Sequence, residues 1–158
     1  GGYKCTCTSP TLKDGSHTIS VKASDNDGNA AAAKTATFTV DTVPPTLQIT
    51  APSNDLITNK KTVTVSGKTD DVSSKPVTVT VNGATVTVGT DGTFTKDVTL
   101  AEGANTITIV AKDKAGKTTT VTRKVTVDTS APVIKSVTLT PNPVDCGKTF
   151  IIAVEITD

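Results

Sequence analysis

Tryptophan and methionine are absent, aromatics amount to 3% of the chain, and there is a single histidine. Each shortage removes a class of function. A sugar platform needs exposed rings, and only Tyr3 is free for that role. Phe38, Phe94 and Phe150 fall at core-facing positions of the repeat described below. No paired carboxylates flank an aromatic cleft, so glycosidase chemistry has no support. His17 has no nucleophile or acid partner in spacing and reads as a surface residue at a strand start. Gly-rich phosphate loops and zinc-ligand spacings are missing too. The 16 basic and 15 acidic residues are interspersed and leave a net charge of +1. Without a basic stripe to neutralise phosphates, nucleic acid is not an expected partner. No apolar run approaches the roughly 18 residues of a membrane helix, so membrane insertion is not expected. An enzyme is the least expected class. The N-terminal "GGYKC" has no leader pattern, which suggests a trimmed chain or a fragment.

Cysteine is scarce as well. Cys5 and Cys7 alternate in a strand-like run and share a face, too close together for a C-x2-C metal pair. Adjacent positions on one strand rarely suit a disulfide. Cys146 lies far away in a turn. Two readings stand: three free thiols, or one long-range or intermolecular bridge from Cys146 to Cys5 or Cys7.

What the chain has in quantity is threonine, about a fifth of all residues, together with valine. Both are β-branched and favoured on a pleated surface, so the composition is all-β. The chain also repeats itself. "DTVPP" at Asp41–Pro45 recurs as "DTSAP" at Asp128–Pro132, 87 residues later. "DGSHTISVKASDNDGN" (Asp14–Asn29) lies over "EGANTITIVAKDKAGK" (Glu102–Lys117), and "TFTVDT" over "KVTVDT". After the junctions, "KTVTVSGKTDD" (Lys61–Asp71) matches "KTFIIAVEITD" (Lys148–Asp158) more weakly. Such a period suits a β-sandwich domain and not a solenoid unit.

The middle repeat predicts seven strands. They are marked by Leu47 and Ile49; Val63 and Val65; two runs in Pro76–Val88 joined by Asn82-Gly83; Phe94 to Leu100; Ile107 to Ala111; and Val121 to Val127. Asn-Gly between alternating runs is a strong hairpin signal. An irregularity is expected between Phe94 and Val98. No segment has helical periodicity. The expectation is an all-β, immunoglobulin-like seven-stranded sandwich, complete over 44–129. The last three strands of a preceding copy lie in 1–43, and the first two strands of a following copy in 130–158. Each Asp-Thr ends a strand, and each proline stiffens the junction.

These repeated segments resemble the tandem bacterial Ig-like domains of large surface proteins and adhesins, which also occur on virion proteins of tailed phages. The resemblance covers nearly the whole chain. It departs from antibody-type and fibronectin type III domains in having no core Trp. It implies an extracellular structural spacer, stalk or adhesion module on a bacterial cell surface or phage particle. Its partners would be neighbouring Ig-like domains or subunits of the same assembly. The alternatives are a module that binds a host glycan or surface protein, and a head-to-tail filament in which the terminal partial repeats complete one another.

Two acidic stretches are candidates for metal. "DNDGN" (Asp25–Asn29) lacks the Gly and Glu of an EF-hand loop and reads as a turn. The junction is the better candidate: the fold would bring Asp70, Asp71 and Asp113 towards Asp41 and Asp14, where carboxylates from two domains could share calcium. No other cofactor is expected.

Overall fold

The computed structural model describes residues 6, 8, 10–140, 142–143 and 146–158. Among these, every regular element is a strand. The middle repeat forms two sheets. One holds β3 (Thr46–Ala51), β5 (Thr62–Asp70) and β8 (Thr93–Thr99), in that order. The other runs β4 (Leu56–Thr58), β10 (Thr118–Val127), β9 (Gly103–Lys112), β6 (Thr78–Val81), β7 (Ala84–Val86).

The core between the sheets follows from alternation. Val65 and Phe94 of the three-stranded sheet meet Val79, Val81, Val86, Ile107, Ile109, Ala111, Val125 and Val127 of the other, and Leu100 joins the same cluster. Threonines fill most outward positions, where a β-branched hydroxyl side chain suits the pleat and meets water. Arg123 fastens the sheets together: its Nε donates to the Pro52 carbonyl at 3.1 Å and an Nη to that of Ile49 at 3.3 Å.

All seven expected strands are present, with an eighth beside them. The extra strand is β4, three residues paired in parallel to β10. It is too short to carry a periodic signal. The irregularity expected in β8 is absent, since Thr62–Lys68 pair with Thr99–Thr93 without a shift. Phe94, Lys96 and Val98 simply alternate on one face, and Lys96 is exposed. β8 is an edge strand, where a lysine among apolar positions blocks pairing with another chain. At the Asn82-Gly83 turn both residues have positive φ, 48° and 81°. That is the hairpin turn whose twist matches its strands.

Before this sandwich, β1 (Gly15–Val21) and β2 (Lys34–Val40) form an antiparallel pair; after it, β11 (Val133–Thr140) and β12 (Ile151–Thr157) form another. They repeat the middle unit in register. Gly15 faces Val40 as Gly103 faces Val127, and Val133 faces Thr157 as Thr46 faces Asp70. The third strand expected near Cys5 and Cys7 falls largely outside the described residues. Phe38 and Phe150 are 37% and 51% exposed against 3% for Phe94. Among the described residues nothing lies opposite either hairpin, and Ile19, Val137, Ile152 and Ile156 are exposed as well. Cys146 is exposed with a free thiol, and its expected partners Cys5 and Cys7 lie outside the described residues.

Candidate metal centre at the first junction

Both junctions are built from the same local chemistry. An aspartate ends the strand and folds its carboxylate over the next turn: Asp41 Oδ1 accepts from Val43 N at 3.1 Å, and Asp128 Oδ1 from Ser130 N at 3.0 Å. The following threonine is clamped by an acid from the start of the neighbouring strand. Asp14 accepts from Thr42 N at 3.1 Å and from its hydroxyl at 2.9 and 3.0 Å. Glu102 accepts from Thr129 N and its hydroxyl, each at 2.8 Å. The Thr129 N–H, then its hydroxyl, holds the Glu102 carboxyl below its ordinary range.

Three aspartates converge at the first junction. One carboxylate oxygen each from Asp41, Asp71 and Asp113 lies within 4.8 Å of the others. They come from three segments: Asp41 follows β2, Asp71 follows β5 and Asp113 follows β9. Two belong to loops of the middle sandwich and one to the tail of the preceding unit. All are buried, with 8%, 6% and 5% exposure respectively.

The loops explain the placement. Asp71 Oδ1 accepts from Ser73 N at 2.8 Å and Ser74 N at 2.7 Å, closing the turn after β5. Asp113 Oδ1 accepts from Lys117 N at 2.8 Å across the β9–β10 turn. Lys114 N donates to the Ser74 carbonyl at 3.2 Å and joins the two loops. Each carboxylate thus spends Oδ1 on its own turn. The Oδ2 atoms of Asp41 and Asp113 are buried and accept no hydrogen bond. A buried carboxylate oxygen without a donor is costly, and two of them beside a third carboxylate more so, unless a cation compensates them.

Of the five acids expected at the junction, the structure brings together Asp41, Asp71 and Asp113. It assigns the other two elsewhere. Asp14 is the clamp on Thr42. Asp70 is ion-paired with Lys75 at 2.8 Å, and that ammonium holds its carboxyl below the ordinary range. Asp70 is the last residue of β5 and Asp71 the first of the loop after it, a distinction the Asp70-Asp71 pair does not reveal in sequence. Asp25 makes the expected turn, accepting from Asp27 N at 3.1 Å and Asn29 N at 2.7 Å. Its second oxygen accepts from Asn29 Nδ2 at 2.8 Å. Residue 117 is lysine at the corresponding place, and Asp113 Oδ2 goes without that donor. His17 stacks on Phe38, with ring centroids 5.6 Å apart, and touches the Lys13 carbonyl.

Two family models match different parts of the chain. Residues 45–129 match the family described as glucodextranase, domain B. The chain belongs to that family. Residues 1–42 match the bacterial Ig-like domain family. Bacillopeptidase F of Bacillus subtilis (strain 168) is 34% identical over 123 residues, which are 78% of this chain and 8% of that protein. The chain therefore spans a small fraction of that relative's length. Among solved structures, the fibronectin(III)-like modules of Clostridium thermocellum CbhA are 21% identical with a TM-score of 0.43, over 73% of this chain and 63% of theirs. A tetra-tandem repeat from the extending region of a large adhesion protein is 24% identical with a TM-score of 0.46, over 90% of this chain and 45% of its own. The bacterial Ig-like resemblance of the repeated segments is thus shown. No helix of the described residues is long and apolar enough to cross a membrane.

Proposed function

We propose that this chain is a run of Ig-like units acting as a non-enzymatic, extracellular spacer or adhesion segment, with its first junction locked by a divalent cation. The observation that carries this reading is the carboxylate cluster of Asp41, Asp71 and Asp113, with two buried oxygens that lack a donor. An all-oxygen, all-carboxylate set favours a hard cation. Calcium fits best, because it accepts flexible geometry and takes its remaining ligands from water and loop carbonyls. Zinc favours nitrogen and sulfur ligands, and magnesium demands a near-ideal octahedron.

The mechanical consequence follows from where the ligands sit. A cation held by Asp41 on one side and by Asp71 and Asp113 on the other ties the tail of one unit to two loops of the next. The Asp41–Pro45 linker then loses its swivel, and pulling force reaches the next sandwich through the cation as well as the backbone. The acid–threonine clamps, present at both junctions, fix the direction in which each linker leaves its strand.

Thermal unfolding in calcium and in chelator tests the lock. The midpoint rises with calcium, and an unchanged midpoint removes the cation from the account. A glycan array separates spacer from binding module. The spacer gives no signal, and a saturable signal would make the segment a receptor-binding one.

A further inference from the structure

The ion pair between Asp70 and Lys75 has two solvent-exposed side chains, 58% and 65% accessible. Exposed pairs of this kind add little to stability. Its position is what stands out. Lys75 lies just beyond Ser73 and Ser74, whose N–H groups cap Asp71. It lines a recess together with Asp41, Ser73, Ser74 and Lys114. The residue therefore shares a recess with one acid of the cluster, Asp41, while its ammonium is bonded to Asp70. An ammonium on a four-carbon stem is the protein's own competitor for any three-carboxylate site.

We infer that Asp70 is a positioning residue that keeps the Lys75 ammonium out of the cluster of Asp41, Asp71 and Asp113, so that the cluster stays open to a metal cation. This rests on the cation reading above. It gives the adjacent acids different roles, Asp71 as ligand and Asp70 as the keeper of a rival charge. With Asp70 replaced by Asn, the Lys75 ammonium is released to reach the cluster, whose Asp41 lines the same recess. Calcium must then displace an internal cation before it binds.

The test is calorimetric titration of calcium chloride into the chelator-stripped full chain, for wild type, Asp70→Asn, Lys75→Met and the double variant. Lys114 is kept constant in all four. Asp70→Asn weakens calcium binding about two- to fivefold, in keeping with the strength of an exposed pair. In the Lys75→Met background the same change has almost no effect, so the two substitutions are non-additive. The loss shrinks in high salt, because both partners are exposed. If Asp70→Asn weakens binding equally in both backgrounds, Asp70 acts as a ligand or a distant charge and the inference fails. It fails equally if Asp70→Asn leaves affinity unchanged. If wild type binds no calcium at all, it is the cation reading that has failed. Unfolding midpoints in chelator show that all four proteins are folded.

Discussion

Replacing Asp113 by Asn has opposite consequences with and without calcium. In chelator, the three carboxylates of the cluster repel one another. At the 4.8 Å limit of their separation and an effective dielectric of about 20, each charge pair costs about 3.5 kcal/mol. The substitution removes two of the three pairs. The new amide keeps an oxygen for Lys117 N and offers an N–H where Asp113 Oδ2 had no donor. Side-chain movement and counterions already relieve part of the repulsion, so the net gain is about 1–3 kcal/mol. For a unit of this size 1 kcal/mol moves the midpoint by about 4–8 °C, so Asp113→Asn melts at least about 4 °C above wild type in chelator. In calcium the order reverses. Wild type gains about 4.1 kcal/mol at a thousandfold excess over Kd, roughly 16 °C or more, while the variant gains little. Differential scanning calorimetry of both proteins in both buffers reads all four numbers. A variant less stable than wild type in chelator, or one that keeps the full calcium shift, refutes the reasoning.

Other consequences follow from single contacts. A Cβ on Gly92, at φ +82°, would lie 2.1 Å from the Thr69 carbonyl oxygen, whereas one on Gly83, at φ +81°, would meet nothing; Gly92→Ala therefore costs more than about 3 kcal/mol and Gly83→Ala about 1 kcal/mol in denaturant unfolding. Ile107→Ala empties a fully buried position in a core whose one buried ring is Phe94 and costs about 2–5 kcal/mol by the same assay. Because the Thr129 hydrogen bonds lower the Glu102 carboxyl, its contribution is complete above the ordinary value near 4.5 and is lost as pH falls through the folded value. Glu102→Gln should accordingly flatten the decline of stability below that pH, and an unchanged slope would remove the clamp from the acid sensitivity.

The strands were legible because their alternation is regular and their turns carry Asn-Gly and Asp-Gly, whose φ the structure confirms as positive at Asn82, Gly83 and Gly92. β4 was not, since three residues are fewer than two full alternations and its pairing with β10 depends on tertiary contact. Phe38 and Phe150 take core-facing places in the repeat, yet among the described residues they are exposed. Alternation sets the face a side chain takes, and burial needs a second sheet over that face. At the junction, the loop positions of the expected fold pointed to five acids. Three of them meet, and the difference between Asp70 and Asp71 comes from a single step from the end of β5 into the loop. The acid–threonine clamps went unseen in sequence, although Asp14 and Glu102 occupy the same place one repeat apart. An acid facing a strand-end Thr-x-x-Pro was the signal that could have found them.

The central claim is that a cation joins two units through Asp41, Asp71 and Asp113. The most direct measurement is an X-ray structure of the chain grown in millimolar calcium, with anomalous scattering to locate the ion. The account predicts a peak about 2.3–2.6 Å from one oxygen of each of the three aspartates, its shell completed by water or loop carbonyls. A cluster with no anomalous peak, or one filled by the ammonium of Lys75 or Lys114, would contradict it.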